Sequence, residues 1–560
     1  MTRYPVRLIL QAAAAVLVGC PAGPPGPAAQ GTARREYRPG FDVLDYDLTI
    51  ELPDSGRVIR GTAVLTVRRT PTDPRRSGGD TLVLDLVRLD VSSVNVDGRS
   101  VAFTRTPETV RVPLAAASSD TMRVEVTYGG EVRDGLVIRT DSLGRWTAFG
   151  DNWPNRARHW IPSIDHPSDK ATVSWTVRTP PGRTVVANGR LLPPGRIQVQ
   201  YREPRVTNRW REDRPVPTYA MVIAAAPLVR HELGVAACGL AEVERCVEQA
   251  VYVTPEVRDY MPGPFAAARG IVEWMARLVG PFPYEKLAHV QSSTIYGGME
   301  NASAIFYDER LFRDRAMSVD LIAHETAHQW FGDAVTSRDW AHLWLSEGFA
   351  TYFSALWIER SVGDSAFRAR MAATRAQILA DPVAVPRRPV IDTLETNLTA
   401  LLNVNSYQKG GWTLHMLRRL VGDSAFFRGV RGYYGAHRHG TAVTDDFRRA
   451  VEATAGRPLD WFFDQWLRRP GYATPTLTWD YDSTAARVSV TIDQARSPFG
   501  AYRFPLNLAV HEPSGGVRRV MIEVPAQPRT TVPLPFAVTA RPTRVMPDPD
   551  VDLLARFDGP

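Results

Sequence analysis

The chain has 560 residues, of which 44% are hydrophobic and 23% are charged, a balance typical of a globular protein with about three domains and a large core. Its formal net charge of +7 comes almost entirely from arginines that are interleaved with acidic residues, without a basic run or a nucleic-acid-binding motif. Composition and charge therefore argue against a nucleic-acid partner and indicate a solvated surface.

The N-terminal 36 residues carry an export signal and a tether. A short positive region ends at Arg7, and the apolar stretch Leu8–Val18 is too short to span a bilayer permanently. The residues that end in Cys20 resemble the bacterial lipoprotein signal, which implies that residues 1–19 are removed and that Cys20 is lipidated. Residues 20–36 are rich in Pro, Gly and Ala, as expected of a tether. We expect a lipid-anchored protein of the bacterial cell envelope, in either membrane, with an ordinary cleaved signal or an uncleaved anchor as the alternatives.

Residues 37–235 predict an all-β domain. Short alternating stretches such as Val64–Val67, Thr81–Leu84 and Met122–Val126 are separated by Gly, Pro and Asp turns. Beyond them, Cys238 and Cys246 lie eight residues apart and form a possible disulfide in an oxidising compartment. Two free buried thiols are the alternative.

Residues 236–470 have mainly helical patterns and contain His324-Glu325-Thr326-Ala327-His328. On a helix, residues at i and i+4 lie on one face, so both imidazoles can bind one metal ion. Ser318 is a candidate N-cap for this helix and Gly332 a candidate stop. Two core histidines that are satisfied by hydrogen bonds would give the same pattern.

A second predicted helix, from about Leu343 to Arg360, carries Glu347 near its start, and eighteen residues separate Glu347 from His328. Two histidines and one glutamate leave the fourth position of a tetrahedral Zn²⁺ open, which is typical of a catalytic site rather than a structural one. The pattern predicts one zinc ion per chain, held by His324, His328 and Glu347, with Glu325 as the general base.

A further motif, Gly297-Gly298-Met299-Glu300-Asn301, precedes the HExxH segment. Its paired glycines allow another chain to approach the backbone, so that a strand here can pair with a peptide. A tight turn between two strands is the alternative. Downstream, Tyr407 lies in a Tyr-Gln-Lys-Gly segment, which by itself is equally compatible with a half-buried structural tyrosine.

Together these motifs resemble the zinc aminopeptidases of the membrane alanyl aminopeptidase type, which are relatives of leukotriene hydrolase. The resemblance covers about residues 40–470 and implies an N-terminal β domain followed by a thermolysin-like domain. It also implies that Glu300 binds the α-amino group of the substrate, that the Gly297–Asn301 segment holds the peptide, and that Tyr407 stabilises the oxyanion.

One position departs from this family. Trp153 stands where the family has a Gln or Glu that lines the first substrate pocket, and we expect Asp151 to take over part of the amine contact. Residues 471–560 return to alternating strands and predict a small C-terminal β-sandwich, which gives a multidomain α+β chain. Many relatives carry a large helical domain at this point, and without it we expect a more open cleft.

The leading hypothesis is a zinc-dependent aminopeptidase that acts on peptide substrates. An endopeptidase or an epoxide hydrolase on the same scaffold, and a non-catalytic peptide-binding protein, are the alternatives. The sequence does not indicate an oligomeric state or a preferred N-terminal residue.

Overall fold

The computed structural model describes residues 40–70, 81–114, 120–193, 205–240 and 246–557. The predicted signal, the tether and Cys20 lie outside these residues. The chain forms two compact units. The first comprises the chain up to Arg338 together with Thr396–Thr399 and His437–Thr441, and the second comprises Asp339–Glu395, Ala400–Ala436 and the chain from Ala442 onward.

The first unit is built on an eight-stranded sheet with the strand order β13-β14-β11-β1-β2-β8-β4-β5. Only β1 and β11 are parallel; their register pairs Leu48 with Trp175. The strands of this sheet are β1 (Phe41–Glu51), β2 (Val58–Arg69), β4 (Asp90–Val96), β5 (Arg99–Ser100), β8 (Thr121–Glu131), β11 (Lys170–Thr179), β13 (Arg190–Leu191) and β14 (Val206–Pro217).

Alternation of buried and solvent-facing side chains explains why these residues form strands. In β2, Ile59, Ala63, Leu65 and Val67 are buried while their neighbours face outward, and Leu65 pairs across the sheet with Val124 of β8. A period of two places every second side chain in the core, so this pattern favours a half-buried strand. The prediction of an N-terminal all-β fold is confirmed.

Two smaller sheets complete the β part of this unit, with the orders β3-β7-β6 and β12-β15-β10-β9. Their strands are β3 (Thr81–Asp85), β6 (Thr104–Arg105), β7 (Thr109–Pro113), β9 (Leu136–Thr140), β10 (Trp146–Gly150), β12 (Thr184–Ala187) and β15 (Ile223–Ala226).

A five-stranded sheet, β16-β17-β18-β20-β19, lies for the most part in residues 236–470, for which mainly helices were predicted. Its strands are β16 (Val229–Ala236), β17 (Val247–Val253), β18 (Lys286–Ser292), β19 (Gly298–Met299) and β20 (Ala304–Asp308). Helices α1 (Ala268–Leu278), α2 (Glu309–Arg313) and α3 (Val319–His328) belong to the same unit. The prediction missed most of this sheet because β20 and all of β18 after Lys286 are buried and show no alternation.

The second unit begins with helices. They are α4 (Trp344–Ser361), α5 (Asp364–Ala380), α6 (Ala384–Arg387), α7 (Gly410–Val421), α8 (Asp423–His437), α9 (Thr444–Ala455) and α10 (Asp460–Leu467). Of two short strands, β21 (Thr336–Ser337) precedes these helices and β22 (Thr441–Ala442) lies between α8 and α9 in the chain.

The C-terminal part of the second unit is entirely β, as predicted. Two three-stranded antiparallel sheets, β23-β24-β27 and β26-β25-β28, comprise β23 (Thr476–Asp482), β24 (Arg487–Asp493), β25 (Phe504–His511), β26 (Val517–Val524), β27 (Arg529–Ala537) and β28 (Arg544–Pro547).

Two further observations bear on the sequence-based expectations. Cys238 and Cys246 are joined in a disulfide. Among the described residues, no helix has both the length and the apolar character that crossing a lipid bilayer requires.

Candidate active site

Helix α3 positions the HExxH residues. The Ser318 hydroxyl accepts a hydrogen bond from the Leu321 N–H at 3.2 Å, so the predicted N-cap is confirmed. The helix ends at His328, four residues before the predicted stop at Gly332. A tight turn replaces the missing residues, in which the Asp333 N–H donates to the His328 carbonyl and Gly332 has a φ of +129°.

The two imidazoles of α3 converge on one point. Their Nε2 atoms are 3.1 Å apart, and the rings lie at 80° to each other. His328 is buried, and its Nδ1 lies 3.1 Å from the Phe331 carbonyl oxygen. A carbonyl at Nδ1 keeps the proton on that nitrogen and leaves Nε2 as the lone-pair donor that a metal ion requires.

Glu325 lies against the backbone of strand β19. A Cβ added to Gly298 would lie 2.2 Å from the Glu325 Oε1 atom, so any larger residue here would displace this carboxylate. The neighbouring Gly297 has no atom within 4 Å of the equivalent position. The two glycines of the motif therefore have different roles: Gly298 makes room for Glu325, and Gly297 is exposed backbone.

β19 is the edge strand of the five-stranded sheet, and it pairs only with β20, where Gly298 faces Tyr307 and Met299 faces Phe306. The predicted strand at this motif is therefore present. An edge strand offers unpaired backbone groups to an extended peptide.

Immediately after β19, Glu300 is buried beside the HExxH residues. Ligand atoms of Glu300, Glu325 and His328 all lie within 4.8 Å of one another. The next residue, Asn301, is fully buried, and its carboxamide has no hydrogen-bond partner among the described residues. A buried amide without a partner is costly unless water or a ligand satisfies it.

Asp151 lies near the start of the glycine motif, where its carboxylate is 3.5 Å from the Ile295 N–H. It is fully buried and forms a 2.7 Å ion pair with Arg156, which also contacts Asp134. Burial raises the pKa of Asp151, against the opposing effect of the Arg156 charge. The sequence-based reasoning did not identify Arg156, although an arginine five residues from a candidate carboxylate is a signal for an ion pair.

The pocket residue that departs from the family, Trp153, is buried and packs edge-to-face against Tyr296, with ring centroids 5.9 Å apart. Tyr296 directly precedes Gly297. An aromatic pair therefore adjoins the glycine motif, at the position where the resemblance led us to expect a polar side chain.

In the second unit, Glu347 lies in the first turn of α4 and is buried. The adjacent Gly348 contacts α7 backbone to backbone: a Cβ on Gly348 would lie 2.9 Å from the Gly410 carbonyl carbon, and one on Gly410 would lie 3.1 Å from the Gly348 Cα. These contacts bring the start of α4 directly against the start of α7.

Tyr407 occupies a π-helical turn, Asn405–Lys409, that leads into α7. Two side chains of its first residues hold this turn: Asn405 donates to the carbonyls of Ala384 and Arg388, and the Ser406 hydroxyl donates to the Leu401 carbonyl. Tyr407 itself is half-buried. A single π-helical turn within a helix is frequent at functional sites because it displaces a side chain from the regular helix face.

The predicted metal ligands are His324 and His328, which lie in the last turns of α3, and Glu347, which lies in the first turn of α4. The chemistry of these three ligands fits a zinc ion. Two imidazoles and one carboxylate are the ligands of a catalytic zinc site with one position left open.

Comparisons with known proteins place this arrangement in a family. Residues 266–466 match the model of the peptidase family M1 domain, and residues 44–220 match the peptidase M1 N-terminal domain. The chain belongs to peptidase family M1, and its fold and cofactor, Zn²⁺, are those of this family.

Individual relatives agree with this assignment. The chain is 27% identical over 498 residues to an aminopeptidase N of Streptomyces lividans, which covers 84% of this chain and 55% of that protein. It resembles an M1 zinc metallopeptidase from Deinococcus radiodurans with a TM-score of 0.65 and 26% identity, over 77% of this chain and 94% of that one.

The fold extends to a more distant structure, an aminopeptidase A of Legionella pneumophila. The TM-score is 0.79 at 18% identity, over 93% of this chain and 60% of that one. The chain spans about half the length of the curated relatives that it matches.

Proposed function

We propose that this protein is a zinc-dependent aminopeptidase that removes N-terminal residues from peptides. The observation that carries the proposal is the position of Glu300, whose carboxylate lies within 4.8 Å of ligand atoms of Glu325 and His328. A carboxylate at this distance from a metal-binding histidine can bind the α-ammonium group of a peptide whose first carbonyl lies at the metal.

His324, His328 and Glu347 hold the zinc ion in this proposal. A zinc ion bound there supplies a Lewis acid for the scissile carbonyl and lowers the pKa of water. Glu325 accepts the proton of the attacking water and passes it to the leaving amine. Its contact with Gly298 fixes the carboxylate beside the edge strand along which the peptide binds.

The peptide lies along Gly297, Gly298 and Met299 as an added strand of the sheet. Asn301 completes the substrate contacts through its buried carboxamide. A related M1 zinc metallopeptidase of Deinococcus radiodurans, 26% identical, has been solved with a Tyr-Ser-Ala substrate, which supports the choice of peptides.

Tyr407 donates a hydrogen bond to the oxyanion in this proposal, and its π-helical turn supports a functional position. A contribution of Asp151 to amine binding stays a prediction. Because Arg156 already binds its carboxylate, that contribution would act through the field around Glu300 more than through direct contact.

The test is a library of aminoacyl fluorogenic substrates, each with an N-acetylated counterpart, assayed with the purified zinc form. We expect cleavage that the acetyl group abolishes, because Glu300 has no ammonium group to bind. Equal cleavage of both sets would support an endopeptidase, and hydrolysis of epoxides alone would support the second alternative. A zinc-loaded protein that cleaves none of these but binds peptides would be a binding protein.

The proposal also includes the division of the chain into domains and its attachment to the membrane. Residues 1–19 are a lipoprotein signal, 20–36 a tether, 37–235 the N-terminal β domain, 236–470 the peptidase domain and 471–560 the C-terminal domain. Cys20 anchors the enzyme in the cell envelope. The disulfide between Cys238 and Cys246 supports an oxidising compartment. Membrane fractionation of a Cys20→Ala variant tests the anchor, and an unchanged membrane-bound fraction would contradict it.

A further inference from the structure

Glu300 begins a four-residue stretch, Glu300–Ser303, which we call the anchor segment. The segment has no regular secondary structure, since β19 ends at Met299 and β20 begins at Ala304. All four residues are nevertheless buried. The proposed amine contact requires Glu300 to keep a fixed distance from the HExxH residues, so other parts of the structure must hold this segment.

Gln329, the residue after His328, binds both ends of the anchor segment. Its Oε1 accepts the Ser303 N–H at 2.8 Å, and its Nε2 donates to the Glu300 carbonyl at 3.2 Å. The side chain is fully buried. One carboxamide therefore spans the segment from first residue to last, and it is covalently adjacent to a candidate zinc ligand.

The partners of Gln329 fix which way the amide points. The Ser303 N–H is a donor, so the oxygen must face it, and the Glu300 carbonyl is an acceptor, so the nitrogen must face that end. The second proton of the nitrogen goes to the Asp333 carboxylate, at 2.8 Å. All three bonds are buried, and each would leave an unsatisfied group if it were lost.

Two other side chains hold the far end of the segment. Asn188, which follows β12, donates to the Ala302 carbonyl at 2.7 Å, and Lys286 of β18 donates to the Ser303 carbonyl at 2.8 Å. Ser303 itself has a φ of +60°, a left-handed conformation that a residue with a side chain adopts only when its surroundings impose it. Neither Asn188 nor Lys286 contacts the Glu300 end, so Gln329 alone among these three side chains connects Glu300 to α3.

We propose that Gln329 is a positioning residue that sets the distance between the amine anchor Glu300 and the zinc-binding helix, so that the first peptide bond, and not the second, meets the metal. This rests on the proposed aminopeptidase function. Gln329 acts through Glu300 and contacts neither substrate nor metal.

The test compares Gln329→Met, which keeps the volume and removes the hydrogen bonds of the carboxamide, with wild type. We expect kcat on aminoacyl substrates to fall by about 10- to 100-fold, because a misplacement of about 1 Å costs that much, while KM changes by less than about threefold. Mass spectrometry of peptide digests should show more N-terminal dipeptide released relative to single residues. Zinc content should stay at one per chain.

Gln494→Met is the matched control. Gln494 is buried and makes the same pair of bonds to a backbone N–H and carbonyl, at 2.9 and 3.0 Å to Tyr502, in the C-terminal part of the chain. We expect a similar loss of thermal stability without a change in kcat or cleavage position. If Gln329→Met does not fold, Gln329→Asn, which keeps the amide but is too short to reach both ends, takes its place.

Kinetics of Gln329→Met that match those of the Gln494→Met control would overturn the proposal, and so would a loss of zinc that parallels the loss of kcat. Hydrogen exchange separates this proposal from the proposed function. The Ser303 amide should exchange faster in Gln329→Met than in the control whether or not wild type is an aminopeptidase, and unchanged exchange would overturn the positioning role. Failure of wild type to cleave free-amine peptides would refute the proposed function instead.

Discussion

The two units hold their candidate site residues by different means. In the first unit, side chains hydrogen-bond the backbone around Glu300: Gln329, Asn188 and Lys286 each donate to a carbonyl of the anchor segment. In the second unit, Glu347 is set by direct backbone contact between Gly348 and Gly410.

This difference determines what kind of substitution disturbs each region. A hydrogen-bonded segment is loosened by changing a side chain that lies far away in sequence, and it then moves without a steric clash. A glycine contact is broken by adding a single carbon atom, which forces two helices apart. Substitutions of each kind therefore test whether the two regions are held in these different ways.

The largest effect on kcat should come from a substitution of Glu325 in the first unit, because the proposed proton transfer depends on this residue. Glu325→Gln keeps the size of the side chain and removes the base, so we expect kcat to fall by several orders of magnitude with zinc still bound. Stopped assays with high enzyme concentration and elemental analysis measure the two quantities. Normal turnover in this variant would refute the assignment of the base.

Gly298→Ala should have the second largest effect. The added Cβ would lie 2.2 Å from the Glu325 carboxylate, which must move, and we expect kcat to fall by about 100-fold. Gly297→Ala is the matched comparison, because no atom lies within 4 Å of its Cβ position, and its loss of kcat/KM should be less than about tenfold. Equal losses of activity in the two variants would mean that both glycines act only as backbone that binds the peptide, and that the contact between Gly298 and Glu325 has no separate role.

Gly348→Ala tests the second region. Its Cβ would lie 2.9 Å from the Gly410 backbone, where no flexible side chain can yield, so we expect a destabilisation of about 1–3 kcal/mol and weaker zinc binding through the adjacent Glu347. Melting temperature and zinc affinity measure these effects.

The control is Gly432→Ala in α8, an exposed helical glycine with no atom within 4 Å of its Cβ position. Alanine there should raise the melting temperature slightly, since it favours the helix by up to about 1 kcal/mol. If both alanine variants melted alike, the close contact at Gly348 would not determine the position of Glu347.

Local patterns predicted the parts of the site that depend on neighbours in sequence. The i, i+4 spacing of His324 and His328 and the cap at Ser318 both lie within one helix, and the second helix was predicted within one residue of its observed bounds. Edge pairing at Gly298 was also foreseeable, because paired glycines permit close backbone approach.

Interactions between distant residues could not be predicted in this way. Gln329 binds residues that lie 26 and 29 positions earlier in the chain, and nothing in a single sequence pairs them. The sheet that carries β19 was missed because its central strands are buried on both faces and show no alternation. Gly332 was a wrong stop because a turn, not a helix, connects His328 to it.

The smallest effect concerns two lysines, one in each unit, of which Lys170 is half-buried and Lys409 is buried. Burial lowers the pKa of Lys170 and of Lys409 to about 7. Lys170 donates to three backbone carbonyls, those of Asp333, Ala334 and Gly440, whereas Lys409 donates to that of Arg469 at 3.3 Å. If hydrogen bonds hold the first unit and packing the second, Lys170→Met should lower the melting temperature more than Lys409→Met.

The lowered pKa values of the two lysines determine how the stability of the protein changes with pH. Below pH 7 both lysines are protonated in the folded and the unfolded state, and they contribute no slope. Between about pH 7 and 10.5 the unfolded chain keeps protons that the folded chain has lost, so stability rises with pH, by at most about 1.4 kcal/mol per pH unit for each lysine. Lys409→Met should flatten this rise without a loss of stability at pH 6, because it removes a buried charge with one long hydrogen bond. Melting curves of wild type and of Lys409→Met from pH 6 to 9 measure this rise in stability. An equally steep rise in the variant would mean that Lys409 keeps its proton in the folded state.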